Sequence, residues 1–172
     1  MKHLNTFIDP AIRFINDVAM DSDSSFYFTN YLYYRDNGIM HILEVYLQLG
    51  YGNLMYFDGN KYLKQDDGLQ LANGLIVTPD LQYVYMMQSI SNLFNVYKRQ
   101  SNGTLVIHQS VELKTGGDNP TIDKDGNVLL GAHPITWKVA MHLDDPEFPA
   151  PSQVIKLHMN NGKVANDRGA KC

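Results

Sequence analysis

One pattern, written three times, limits what this chain can fold into more than any other feature. Asn16-Asp17-Val18-Ala19-Met20-Asp21, Asn73-Gly74-Leu75-Ile76-Val77-Thr78-Pro79-Asp80 and Asn119-Pro120-Thr121-Ile122-Asp123-Lys124-Asp125 each read as an asparagine, a turn-prone residue, a short β run and an acidic turn. A second β run follows each time, at Phe26-Tyr27-Phe28, Tyr83-Val84-Tyr85 and Val128-Leu129-Leu130. The asparagines stand 57 and 46 residues apart. Periods near the ~40–50 residues of a four-stranded blade make a β-propeller the expected architecture, with a β-sandwich as its competitor. In a propeller, equivalent positions of successive blades lie around the central axis. Asn16, Asn73 and Asn119 are therefore expected to converge at one end of the channel.

The rest of the chain agrees with an all-β reading. Further β-rich runs occur at Asn53-Leu54-Met55-Tyr56-Phe57, Leu93-Phe94-Asn95-Val96-Tyr97 and elsewhere, bounded by turns such as Asp58-Gly59-Asn60, Asn102-Gly103 and Asp125-Gly126-Asn127. Residues 39–50 suit either a short helix or a buried strand. The balance of 14 Lys+Arg against 18 Asp+Glu, with no basic stripe, argues against a nucleic-acid partner. No run approaches the roughly 20 apolar residues of a membrane span, and Met1-Lys2-His3-Leu4-Asn5 lacks the apolar stretch of a signal peptide. One cysteine, Cys172, excludes an internal disulfide and a Cys-based zinc site.

Converging amide oxygens are hard, neutral donors. Together with the Asp118 carboxylate they can supply several of the six to eight oxygens that Ca²⁺ takes, whereas a nitrogen- or sulfur-seeking metal would want histidine or cysteine there. Three amides and one carboxylate leave the double charge undercompensated, so a further carboxylate is expected. The same triplets are also ordinary turn formers, and a repeat would align them for backbone reasons alone. Residue pattern by itself leaves both readings open.

At these residues the sequence resembles the paraoxonase (serum arylesterase and lactonase) family. The resemblance runs through Phe14-Ile15-Asn16-Asp17-Val18-Ala19, Glu44-Val45-Tyr46-Leu47, Met55-Tyr56-Phe57, Ala72-Asn73-Gly74-Leu75, Val96-Tyr97-Lys98-Arg99, Asp118-Asn119, Gly131-Ala132-His133-Pro134 and Pro149-Ala150-Pro151-Ser152-Gln153-Val154, in order, from about His3 to Lys156. It implies a six-bladed propeller holding two calcium ions, of which this chain carries about three blades over residues 1–163, with an unmatched tail at 164–172. It implies that Asn16, Asn73, Asp118 and Asn119 ligate a catalytic calcium and that Asp17 ligates a structural one. His133 falls on a histidine near the family's active site. The activity implied is hydrolysis of aryl esters and lactones, with a polarised carbonyl attacked by activated water.

The resemblance also implies that Glu44 to Tyr51, Leu69 and Leu71 form a substrate-facing wall. His3 matches a family position to which no catalytic role is assigned, His41, His108, His142 and His158 are read as surface or packing residues, and Trp137 as core. Asn102-Gly103-Thr104 is the one glycosylation sequon, because Pro120 disqualifies Asn119-Pro120-Thr121. Family members carry an apolar N-terminal segment, an acidic calcium ligand and a histidine pair upstream of the point matching His3, and none has a counterpart here. The expectation is therefore a partial chain, inactive by itself, from a protein of the secretory pathway with membrane or lipoprotein association through that upstream segment. Six blades of roughly 45–55 residues need about 300 residues. The competing reading is a non-catalytic relative that assists assembly of other proteins at the endoplasmic reticulum. Cys172 is not read as the family's disulfide cysteine.

Overall fold

Alternating strands separated by turn residues fold here into successive antiparallel sheets. The structure is a computed structural model that describes residues 3, 5–34 and 38–165. The first sheet has the order β1 (Phe14–Met20), β2 (Phe26–Leu32), β3 (Gly52–Phe57), β4 (Tyr62–Leu69), and the second β5 (Ala72–Val77), β6 (Tyr83–Gln88), β7 (Leu93–Arg99), β8 (Leu105–Glu112). The third contains β9 (Gly116–Ile122), β10 (Val128–His133) and β11 (Gln153–Leu157), followed by a short ribbon of β12 (Met159–Asn160) and β13 (Lys163–Val164). Two helices interrupt the pattern, α1 (Gly38–Tyr46) between β2 and β3 and α2 (Thr136–Asp144) between β10 and β11. The sheets stack face to face as propeller blades without closing into a ring, which is the all-β, partial-propeller fold that the repeat predicts. The tail expected at 164–172 lies outside the described residues from residue 166 onward, as does Cys172.

Strand period explains the stacking. Successive side chains of a strand point to opposite faces. On β6, Val84 and Met86 enter the core against the first blade, with Tyr27, Leu54, Leu75 and Tyr97. The intervening Tyr85 and Met87 enter a separate core against the third blade, with Phe94, Val96, Val128 and Leu130. The second blade is thus apolar on both faces. The other face of β2 carries Phe26 and Phe28, which pack with Met55 under Ala11 and Ile12.

Polar straps reinforce the first blade-to-blade contact. Arg99 Nη2 lies 2.7 Å from Asp21 Oδ2, Tyr56 donates to the same oxygen at 3.2 Å, and Ser25 donates to Asp21 Oδ1. Tyr27 donates to the Gly103 carbonyl. Gly103 has φ +82°, and a Cβ there would fall within 2.7 Å of Tyr56 ring atoms, so this turn both requires glycine and seats it on the aromatic pair.

Residues 39–50, readable either way in sequence, begin as α1. Glu44 is buried and accepts from the backbone N–H groups of Tyr33 and Tyr34, tying the helix to the end of β2, while Ile39, Ile42, Tyr46 and Leu47 are exposed. Two expectations are corrected. Trp137 is 60% exposed on α2, where its ring meets Phe148 outside the stacked sheets, so it is a rim aromatic rather than core. Leu69 and Leu71 are buried, Leu69 in the core between the first two blades, so they are core residues rather than an exposed wall.

Candidate metal centre

Each innermost strand carries an irregularity at the same place. In β1–β2 the register passes from Ile15↔Asn30 to Val18↔Phe28, in β5–β6 from Ala72↔Gln88 to Leu75↔Met86, and in β9–β10 from Ala132↔Gly117 to Leu130↔Pro120. Two residues therefore oppose one three times over: Asn16-Asp17 opposite Thr29, Asn73-Gly74 opposite Met87, and Asp118-Asn119 opposite Gly131. A β-bulge of this kind leaves a residue out of the ladder and redirects side chains at strand edges and sites. The repeated asparagines are bulge residues. By bulge position, Asp118 rather than Asn119 is the counterpart of Asn16 and Asn73, and Asn119 is the counterpart of Asp17 and Gly74.

These bulges come together from blade to blade. A Cβ on Gly74 would fall 2.5 Å from Asn119 Cα and 2.8 Å from the Asp118 carbonyl oxygen, so the second and third bulges touch through their main chains. The first and second are joined by Asp17, whose Oδ2 accepts from the Leu75 N–H at 2.9 Å and whose Oδ1 accepts from the Val18 N–H. The Asp17 N–H in turn donates to the Thr29 hydroxyl.

Asn73 is the buried member. Its Nδ2 donates to Ser89 Oγ at 2.8 Å, and Ser89 Oγ spends its own proton on the Gly117 carbonyl at 2.7 Å. Ser89 must therefore accept from Asn73, which fixes the amide orientation and leaves Asn73 Oδ1 facing away. That oxygen is buried with no hydrogen-bond partner. Orphaned buried acceptors are rare and call for an explanation. Asn16 and Asn119 are exposed and Asp118 is half-buried. The donor set is amide and carboxylate oxygen, the chemistry of a hard cation. Among the described residues no group of three or more His, Cys, Asp and Glu side chains gathers as a metal cage.

A second set of residues sits two positions beyond the residue opposite each bulge: Tyr31 after Thr29, Ser89 after Met87 and His133 after Gly131. Because the second strand runs antiparallel to the first, all three lie at the same end as the bulges. His133 Nε2 lies 3.9 Å from Asp118 Oδ2, too far for a hydrogen bond, and its Nδ1 is buried without a partner. Burial, and then the Asp118 charge, raise the Tyr31 hydroxyl above the ordinary phenol range. Sequence reading found His133 and missed Tyr31 and Ser89. The signal available was their common offset within the second β run of each repeat.

The remaining histidines are peripheral. His3 pairs with Thr6, His41 with the Tyr34 carbonyl, His142 with the Phe148 carbonyl and His158 with Asn127, while His108 stacks near Tyr83. The segment from Glu44 to Tyr51 turns Tyr46, Leu47 and Tyr51 outward but buries Glu44. Asn102 stands on an exposed turn, where its Oδ1 accepts from both the backbone and the hydroxyl of Thr104.

Comparison with known proteins bears on this arrangement. A family model described as Arylesterase matches residues 1–166. The chain is 31% identical over 156 residues to serum paraoxonase/arylesterase 2 of Gallus gallus, covering 90% of this chain and 43% of that protein. It spans less than half of the length of the curated relatives it matches. Among solved structures, it is similar to a luciferin-regenerating enzyme, with TM-score 0.58 at 18% identity over 89% of this chain and 45% of that one. It is also similar to the calcium-binding protein regucalcin from Agrobacterium tumefaciens, with TM-score 0.53 at 14% identity over 69% and 38%. At such identities the likeness is one of propeller fold.

Proposed function

The chain belongs to the arylesterase family, and from that premise we propose that its three bulges contribute the calcium centre of an enzyme that hydrolyses aryl esters and lactones. The observation that carries this reading is the buried, unpartnered Asn73 Oδ1, in a bulge whose Gly74 abuts the main chain of Asp118 and Asn119. A cation explains that oxygen where a hydrogen bond does not. The calcium-binding regucalcin neighbour and the family's name support the choice of metal and chemistry.

In this reading Asn16, Asn73, Asp118 and Asn119 hold the catalytic ion and Asp17 serves a structural one. The bound ion supplies a Lewis acid for the ester carbonyl oxygen, on which negative charge develops. The chain's own residues perform the rest. Ser89 holds the Asn73 amide so that oxygen, not nitrogen, faces the site. Asp17 braces the first bulge against the second. His133, whose Nε2 lies 3.9 Å from Asp118 Oδ2, is the residue placed beside the cluster to pass a proton to or from the attacking water.

Asp118 is the one carboxylate among these four ligands, the other three being neutral amides, so the cluster undercompensates a divalent ion. We therefore expect calcium binding by this chain to be weak and its esterase activity to be absent or very low. The family's secretory setting and a glycan on Asn102 belong to the same proposal, as does division of the chain into a propeller portion at 1–163 and a separate tail.

The test separates binding from turnover. Calcium should raise the thermal midpoint of the 172-residue chain, an effect removed by chelation and lost in Asn73→Leu. Absence of any calcium effect would overturn the metal assignment. Phenyl acetate hydrolysis by the same sample, abolished by chelation, would instead overturn the expected inactivity.

A further inference from the structure

Away from the axis, a cleft of about 670 Å³ opens between the outer strand β4 of the first blade and β7–β8 of the second. None of the bulge residues lines it. We propose that this cleft binds a small organic cation bearing N–H donors, a primary ammonium on an apolar body.

A directional relay of hydrogen bonds runs along its wall. Asn95 shares the face of β7 that carries Tyr97 toward the first blade, since Phe94 and Val96 turn to the third. Asn95 is 3% exposed. Its Nδ2 donates to Tyr97 Oη, and Tyr97 Oη donates to Asp66 Oδ2 at 2.7 Å. Every proton of this chain of groups thus runs toward Asp66. Asn95 Oδ1 and Ser91 Oγ, which line the same cleft, are buried without a hydrogen-bond partner. The Asn95 oxygen and the Asp66 charge therefore call for a donor, and the Ser91 hydroxyl, which can accept or donate, can accept from the same occupant.

The charge count selects the class of occupant. Two carboxylates line the cleft, but Asp67 is engaged by Lys64, and no lysine or arginine is among the lining residues. Asp66 remains, matching one positive charge. A divalent ion would be undercompensated, and it would gain nothing from the apolar side formed by Leu105, Val106 and Ile107, the last two more than half exposed at the lip. An ammonium directed to Asp66, Asn95 and Ser91, with its hydrocarbon along that lip, uses both halves. The volume lies within the range of small-molecule sites.

Benzylammonium is a suitable probe, titrated calorimetrically into the 172-residue chain beside benzyl alcohol, benzyltrimethylammonium and calcium. Saturable binding of benzylammonium at least tenfold tighter than that of the alcohol or the quaternary ion is expected. Asp66→Asn should weaken it at least tenfold, because the amide oxygen still accepts from Tyr97 but carries no charge. Ser110→Phe, at an exposed lip position that needs no repacking, should block it. No saturation, equal binding of the three organic probes, unchanged affinity in both variants, or displacement of benzylammonium by calcium would each overturn the assignment.

Discussion

Adding one methyl group at Gly74 tests the architecture of the centre most directly. A Cβ there would lie 2.5 Å from Asn119 Cα and 2.8 Å from the Asp118 carbonyl oxygen, whereas carbon atoms settle about 3.5–4.0 Å apart. The Asn119 side-chain oxygen also stands in the way and can rotate aside, but these two obstacles are main chain, so no rotamer change relieves them and β5 and β9 must separate by about 1 Å. Overpacking of this kind costs about 1–3 kcal/mol. At about 2–4 °C per kcal/mol for a chain of this size, Gly74→Ala should lower the thermal midpoint by about 2–12 °C. The separated strands are those carrying Asn73 and Asp118, so the rise produced by calcium should also shrink. Gly131→Ala is the control: it lies opposite the third bulge with no heavy atom within 4 Å of its Cβ, and its change should stay within about 0.5 kcal/mol. Melting curves with calcium and with chelator measure both quantities. If Gly74→Ala melts with Gly131→Ala and keeps the full calcium response, the bulges do not meet as described.

Three further outcomes follow from the fold. Asp21→Ala strands the Arg99 guanidinium between the first two blades; broken buried pairs cost about 3–5 kcal/mol, and with 20% of the Arg99 side chain exposed the low end is expected from urea midpoints. A loss below about 1 kcal/mol would contradict it. Burial, with a smaller effect from Asp80, pushes the Tyr85 hydroxyl up to about 12, against about 10 unfolded. The folded state then resists losing that proton, so this stability is intact below about pH 10 and disappears as pH rises toward about 12. Urea midpoints over that window should fall less steeply in Tyr85→Phe, and parallel slopes would exclude Tyr85 as the cause. Finally, expression behind a secretion signal should yield a glycosidase-sensitive mass that is lost in Asn102→Gln; an unmodified wild-type chain would refute the glycan.

The blades were legible because their inner strands repeat a polar pattern at regular intervals. The outer strands were not: Tyr62–Leu69 reads Tyr-Leu-Lys-Gln-Asp-Asp-Gly-Leu, whose polar stretch at residues 64–67 obscures any apolar alternation. The bulge residues Asn16, Asn73, Asp118 and Asn119 could be named from sequence as candidate ligands, yet their alignment was shifted by one in the third repeat. A bulge is a property of two paired strands, and Asp118 and Asn119 differ by only one position within it. Tyr31 and Ser89 escaped notice because a hydroxyl in a strand has no meaning until the partner strand sets its distance from the bulge. Residues 39–50 stayed ambiguous because what anchors α1 is a tertiary contact, Glu44 on the Tyr33 and Tyr34 backbone. Trp137 misled because large aromatic residues favour interiors, while α2 lies outside the stacked sheets.

The bonds from Asp17 to Leu75 and from Ser89 to Gly117 have a mechanical consequence. Each clamps neighbouring blades close to their innermost strands, Asp17 and Leu75 on β1 and β5 and Ser89 just after β6 against Gly117 on β9, where the lever arm about the propeller axis is shortest. Small tilts of a blade then pivot about these clamps, moving the outer strands far and the bulges little. Thermal breathing at the rim is thereby decoupled from the spacing of the oxygens at the centre. The outer strands are free to vary in length, turn and charge without disturbing the spacing of the bulges.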